Sequence, residues 1–296
     1  MTLGQNPTQV IPGAFTVRTL MVGLQPVGAL GLRPARLSHE VATAVSAQVA
    51  IALTRSMAIE TTTHMEAARE GERLRAALID SLTHELRTPL TAIRAAATML
   101  TGGEGLDEAG RLELAAIVDE ESARLDRLIG EAVEMAEINA NVVEVRPVPH
   151  HPRALLDQAV EESSKALAGR RVVVSVEEPE LPAWFDPHLL SRVLRHLLEN
   201  AARFTPPGGR ILLSSRRAGE RLEFSVEDDG PGIDAVDLPF IFDKFYRGAK
   251  TKKGGLGLGL SIARRFVQLN EGDVEAENLS PNGFMVTITL PMAEKE

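Results

Sequence analysis

The sequence predicts a multidomain chain. A partial α/β segment (residues 1–55) precedes a long helix and helical hairpin (56–144), a short linker (145–152) and an α/β domain (153–296). Three observations predict this. From Ser38 to about Leu100 the only proline is Pro89 and the only glycine Gly71, a helical reach with no core of its own. Apolar residues recur in steps of four and three on both sides of Thr101–Gly105 (TGGEG), as in two helices joined by a tight turn. Beyond the proline-rich Val145–Arg153 (VRPVPHHPR), β-branched runs interleave with helical patterns, the mark of an α/β domain.

In order along the chain, Phe15 to Leu32 alternates and turns around Gly23–Pro26, which reads as two short strands, too few to close a core alone. Ser38, followed by Glu40 and Val41, is a helix start. The first hairpin helix carries Leu74, Leu78, Leu82, Leu86, Leu90, Ile93, Ala97 and Leu100 on one face; the second answers with Leu114, Val118, Leu125, Ile129, Ala132 and Ala136. One hairpin leaves such a face open, and two copies close a four-helix bundle, so a homodimer is expected. The prolines at 147, 149 and 152 make a stiff linker. Strands are expected at Val172–Val176, Ile211–Ser215, Leu222–Val226 and Phe284–Leu290, and helices at Ala154–Leu167, Pro187–Phe204 and Leu258–Leu269.

The chain has 296 residues and no cysteine, which excludes disulfides, thiolate metal sites and cysteine nucleophiles. Lys and Arg total 32 against 41 Asp and Glu, a formal charge of −9 that argues against holding a nucleic-acid backbone. Thr19–Leu32 is too short for a membrane span and is broken by Gly23, Pro26 and Gly28. The start lacks a basic segment followed by an apolar run, so a cytoplasmic location is expected, compatible with a membrane-bound parent protein.

His84 sits in SLTHELRTPL, about 200° round the helix from Leu82 and hence towards solvent. A histidine there is ordinarily only solvated, but its neighbours point to chemistry. Glu85 can take a hydrogen bond or proton from one ring nitrogen and leave the other nucleophilic. Thr88 lies one turn on, placed to position a water. Pro89 removes the amide that would bond the Glu85 carbonyl and should bend the helix beside His84; an interior proline costs about 3 kcal/mol, which implies a use for the bend.

Four blocks follow in the α/β domain. LLENAARFTP ends a helix, where Asn200 offers the hard neutral oxygen that Mg²⁺ prefers and Arg203, with Phe204 beside it, can approach phosphate. DDGPGI follows a strand. Asp228 can accept the exocyclic amine of adenine, whereas guanine would present its O6 acceptor to the carboxylate. Gly230 and Gly232, leading to Ile233, allow close backbone approach. Phe245, Tyr246 and Arg247 precede Lys250, Lys252 and Lys253, a positive run suited to a triphosphate. Gly255-Leu256-Gly257-Leu258-Gly259-Leu260 opens the last helix, with free amides for phosphates. Each block alone has an ordinary structural explanation: a helix end, an Asp-Gly turn, a solvated loop, a glycine-rich bend. A dinucleotide fold is disfavoured by the GxGxG spacing and the polar loop before it, and no Gly-Lys pair exists for a Walker A loop.

The first motif resembles the H-box of sensor histidine kinases of two-component systems, and the four blocks, in order, resemble the N, G1, F and G2 boxes of their ATP-binding domain. That domain is similar to those of gyrase B, the Hsp90 chaperones and MutL. The resemblance spans roughly residues 64–296. It implies an α/β sandwich that binds ATP and Mg²⁺ and a dimerisation hairpin carrying His84 as phosphoacceptor. It also implies Glu85 as base or orienter, Thr88 as an aid to dephosphorylation, Asn200 as metal ligand, and an aspartate of a response-regulator receiver domain as the final acceptor. The chain departs from the family pattern at His196, where a second Asn is frequent, at Asp229 for Asn and at Leu256 for Thr or Ser. Gyrase-like ATPases carry a water-activating Glu where His196 stands, which argues against simple hydrolysis. The N-terminal Val27–Pro34 (VGALGLRP) resembles the closing part of a GAF domain, as in potassium-responsive sensor kinases of the KdpD type. Two other classes compete: a superfamily ATP hydrolase, and a nucleotide-binding scaffold or phosphatase without net kinase activity.

Overall fold

The computed structural model describes residues 8–11, 15–22, 25–32, 38–102, 106–178, 183–248 and 255–292. The chain divides into two units, 1–77 and 78–296.

In the first unit, β1 (Thr8–Ile11), β2 (Phe15–Val22) and β3 (Gln25–Leu32) form an antiparallel sheet in that order. The β2–β3 pair is the one the alternation predicts; β1, four residues long, is an addition. Arg33 and Pro34, the end of the GAF-like stretch, lie outside the described residues. Helix α1 (His39–Gly102) begins where Ser38 Oγ accepts the Val41 amide at 3.3 Å, an N-cap worth about 1 kcal/mol. Ala42, Ser46 and Ala50 recur once per turn on its buried side, and Leu53 lies over Gly28 of β3.

In the second unit α1 continues through Pro89 as helix and is followed by α2 (Glu108–Asn139), whose first turn is capped by Asp107 accepting the Gly110 amide at 2.9 Å. Glu85 and Arg124, on opposite sides of the TGGEG turn, meet at 3.3 Å as an antiparallel hairpin requires. The predicted stripes are only partly covered. Leu114 is buried and Leu82, Leu86 and Ile93 half-buried, but Leu90 and Ile129 are each more than half exposed, as is Val133 beside the second stripe. Another face of α2, Leu128, Met135 and Ile138, is buried in the core of the domain that follows.

That domain contains β4 (Val148–His150), α3 (Pro152–Glu162), α4 (Ser164–Leu167), β5 (Arg171–Val176), β6 (Ala183–Phe185), α5 (Pro187–Phe204), β7 (Arg210–Ala218), β8 (Arg221–Asp228), α6 (Gly259–Leu269), β9 (Asp273–Asn278) and β10 (Phe284–Pro291). The main sheet runs β5-β7-β8-β10-β9, parallel only between β5 and β7. Along β8 and β10 every second residue is buried, so one face carries α3, α5 and α6 and the other stays half-exposed. The single helix expected at Ala154–Leu167 is broken at Ser163 into α3 and α4. The stiff linker expected at 145–152 needs a larger correction. Val148–His150 pairs antiparallel with β6, so these residues belong to the sheet-bearing domain, and the remaining connection is 140–147, itself held by Val143 and Val145 against the core and by the Arg146 amide on Asp186.

Candidate nucleotide pocket and phosphoacceptor helix

Helix α5 is fixed at its start by Asp186, whose carboxylate accepts the amides of His188 and Leu189 and that of Arg146 from the connecting segment. Its last two turns bring Glu199, Asn200, Arg203 and Phe204 to a cavity of about 700 Å³. Opposite stand Asp228, Gly232 and Ile233 after β8, then Tyr246, Arg247, Gly255, Leu256, Gly257, Gly259 and Leu260. Three singled-out residues, Gly230, Phe245 and Leu258, do not line the cavity and support it from behind. Leu258 is fully buried, and Leu256 only 1% exposed, so the glycine-loop leucines are chiefly core plugs. Lys250, Lys252 and Lys253 lie outside the described residues.

Asp228 ends β8 at 5% exposure and accepts the Gly230 amide at 2.7 Å. A Cβ on Gly230 would stand 2.5 Å from the same carboxylate oxygen, so the glycine serves Asp228 itself, where close approach to a base had been expected. Burial raises the Asp228 carboxyl to about 6, with Asp229 and Glu227 adding to the effect against the Gly230 amide. Ile233 donates its amide to Asn278 Oδ1 at 2.8 Å, which ties the DDGPGI loop to β9. Across the cavity, Phe245 at φ 65° donates its amide to the Gly257 carbonyl. Gly257, at φ 68°, would put a Cβ 2.7 Å from the Tyr246 carbonyl, so the two loops are knit at a point where only glycine fits. Tyr246 anchors its hydroxyl on Asp237 at 2.6 Å.

His84 and Thr88 are exposed on α1. Glu85 is 9% exposed and does not pair with the His84 ring, the partner expected for it. Its carboxylate accepts Arg247 Nη1 at 2.9 Å, the Gly255 amide at 3.2 Å and Arg124 Nη2 at 3.3 Å. Adjacent residues project about 100° apart on a helix, so Glu85 meets the cavity wall while His84 faces outward.

The α2 helix supplies residues that sequence reasoning missed. Glu131 lines the cavity beside Arg203, and burial raises its carboxyl, reinforced by Glu199 and Glu134 against His196 and Arg203. Glu134 accepts from Arg192 at 3.0 Å and Arg195 at 2.6 Å, and shares a 2.6 Å bond with His196 Nε2. Burial pushes its carboxyl up, but the His196 bond, the His196 charge and the two guanidiniums hold it at about 2. His196, the departure from the family pattern, is thus half of a contact between α2 and α5. One signal was available: Glu131 and Glu134 interrupt the apolar face of Leu128, Met135 and Ile138.

Comparison with known proteins follows this layout. Residues 74–141 match the His Kinase A (phospho-acceptor) domain, and residues 185–294 the histidine kinase-, DNA gyrase B- and HSP90-like ATPase domain. The chain belongs to the sensor histidine kinases. Sensor protein KdpD of Clostridium acetobutylicum is 33% identical over 264 residues, covering 88% of this chain and 29% of that protein. KdpD of Mycobacterium tuberculosis is 30% identical over 304 residues, 99% of this chain and 34% of that protein. Sensor protein DivL of Caulobacter vibrioides is 36% identical over 231 residues, 77% of this chain and 30% of that protein. The chain therefore spans about a third of the length of these sensor kinases. Among solved structures, full-length ShkA in complex with AMPPNP is 27% identical at a TM-score of 0.54, over 73% of this chain and 46% of that one. Histidine kinase AdeS of Acinetobacter baumannii, at 21% identity and a TM-score of 0.55, shares the fold over 71% of this chain and 98% of its own. The phosphoacceptor-type domain contains His84 and Glu131, and the ATP-binding-type domain supplies the rest of the cavity wall. Among the described residues no helix is long and apolar enough to cross a membrane.

Proposed function

We propose that the chain is the core of a sensor histidine kinase that phosphorylates His84 from ATP and passes the phosphoryl group to an aspartate of a response-regulator receiver domain. One observation carries the reading: Arg247 and Gly255, on the wall of the nucleotide cavity, both hold Glu85, the neighbour of His84. Asp228 receives the adenine amine. Arg203, Arg247 and the Gly255–Leu260 amides face the phosphates, with Phe204, Gly232, Ile233 and Tyr246 closing the walls.

The half-buried Asn200 amide on the cavity wall, with Glu199 beside it, is a hard-oxygen donor set that suits Mg²⁺. When bound there, the ion neutralises phosphate charge. The chain's own residues do the rest. The unprotonated ring nitrogen of His84 attacks the γ-phosphorus, a P–N bond forms, and the P–O bond to the departing ADP breaks. The proton on the opposite ring nitrogen passes to Glu85 once that carboxylate is released from Arg247. Catalysis of this kind is positioning and charge neutralisation.

The open apolar residues Leu90, Ile129 and Val133 support a homodimeric four-helix bundle. The receiver docks on the bundle near His84, and Thr88 serves its dephosphorylation. Residues 1–55 form the GAF-like sensor segment, and the ATP-binding domain moves on residues 140–147.

The test is incubation with γ-labelled ATP and Mg²⁺. Acid-labile, base-stable label is expected on the wild-type chain and none on His84→Gln. Phosphate release without labelling of the protein would replace this reading with an ATP hydrolase.

A further inference from the structure

We infer that each ATP-binding domain phosphorylates His84 of its own chain, and that the paired subunit's nucleotide site does not serve it. The inference rests on the kinase reading above and adds the identity of the acceptor.

Two ends of the domain are fixed on the same chain's hairpin. At one end Arg247 and Gly255 hold Glu85 on α1. At the other, α5 grips α2: Arg192, Arg195 and His196 converge on Glu134, and Arg192 also reaches Glu137 at 2.9 Å. Lys244 adds a bond to Asn139 at the end of α2, at 3.1 Å. Between these ends Glu131 stands in the cavity wall itself, so the nucleotide site is built partly from the hairpin of its own chain. The connection is short: residues 140–147 span at most about 28 Å when fully extended.

Dimerisation leaves this arrangement in place. The α2 face that meets the ATP-binding domain carries Leu128, Glu131, Glu134, Met135 and Ile138. The open residues Ile129 and Val133 point about 100° away from it. A second copy can therefore pack on the open face without displacing α5. On α1, His84 lies one residue and about 100° from Glu85, so a roll of the domain around its own α1 brings the cavity to His84. Either route releases Glu85, but delivery to the partner would also require breaking the Glu134 contacts and crossing the bundle.

Heterodimers of differently tagged chains test this, purified through both tags and incubated with γ-labelled ATP and Mg²⁺. One pairs wild type with a chain carrying both His84→Gln and Asn200→Ala; it should keep about half the wild-type label, because one chain is complete. The other pairs His84→Gln with Asn200→Ala; it should stay at background. Label on the second heterodimer together with loss from the first would overturn the inference and establish transfer between subunits. A wild-type homodimer that gains no label would defeat the kinase reading itself, a result separable from either heterodimer outcome.

Discussion

Asp228 is asked to do two opposed things. Buried at 5% exposure, it is driven towards its neutral form, whereas the adenine amine proposed for it above is accepted most strongly by the carboxylate. With the folded group at about 6 and its ordinary value at 3.8, the folded chain holds this proton more tightly than the unfolded one. The stability this contributes is fully present below about pH 4 and is lost as pH rises to 6, a loss of order 3 kcal/mol at neutral pH. Asp228→Asn keeps an acceptor for the Gly230 amide and carries no charge. At pH 7.5 the variant should therefore resist denaturant better by about 2 kcal/mol while binding adenine nucleotides at least tenfold more weakly. Wild-type affinity should itself fall by about tenfold per pH unit below 6. Calorimetric titration with a non-hydrolysable ATP analogue between pH 5 and 8 reads both effects; an Asn variant that binds as tightly as wild type would remove Asp228 from base recognition. Asp228 was legible in the sequence because an acidic residue before Gly-x-Gly at a strand end is a local pattern. The reason for Gly230 was not, because the atom it avoids belongs to Asp228's side chain in a particular rotamer.

At the scale of elements, the contact between α2 and α5 is a buried carboxylate facing two guanidiniums and the His196 ring on consecutive turns of one helix. Arg192 and Arg195 remain about 30% exposed, so water shares in their solvation and the pairing is weaker than a fully buried one. Removing Glu134 leaves those cations crowded on α5 without their anion, and Glu134→Ala should cost about 2 kcal/mol in denaturant unfolding. Because the folded Glu134 is held at about 2 against an ordinary 4.5, its contribution is complete above pH 4.5 and disappears as pH falls towards 2. The variant should thus lose the part of the wild-type acid sensitivity that lies in this window; unchanged stability and an unchanged acid profile would show the contact to be incidental. Nothing within α2 alone identifies this role, since its partner lies 62 residues away. The same limit separates the elements that periodicity revealed from those it missed. The long strands β8 and β10 alternate throughout and β7 as far as Ser215, and α5 runs the span its apolar pattern marks, because each buries a whole face; β5 shows instead as a run of valines. By contrast β4 and β6 have three residues each, too few for a period, and the edge strand β9 (DVEAEN) has charges where an inner strand would be apolar.

For the whole molecule, the decisive relation is which hairpin an ATP-binding domain rests on, and sequence patterns are silent about it because cis and trans docking bury the same residues. The absence of cysteine makes this relation directly measurable. Asn139 at the end of α2 and Lys244 in the Phe242–Arg247 loop touch at 3.1 Å, both are exposed, and neither is assigned to catalysis or to nucleotide binding. In a chain carrying Asn139→Cys and Lys244→Cys, a short bismaleimide has only these two thiols to join. A reagent of this kind suits the site better than a disulfide, because the long lysine side chain sets the two backbones further apart than an S–S bridge tolerates. Docking on the chain's own hairpin predicts a cross-linked product that still migrates as a single chain under denaturing conditions, and that forms equally well when the protein is diluted. Docking on the partner predicts a covalent dimer whose yield falls on dilution as the subunits separate. The cross-linked single chain should also retain binding of the ATP analogue, since the cavity lies beyond the tether and Asp228, Asn200 and Arg203 are untouched by it. A predominance of covalent dimers would place each cavity against the other subunit's α1 and would invert the assignment of donor and acceptor.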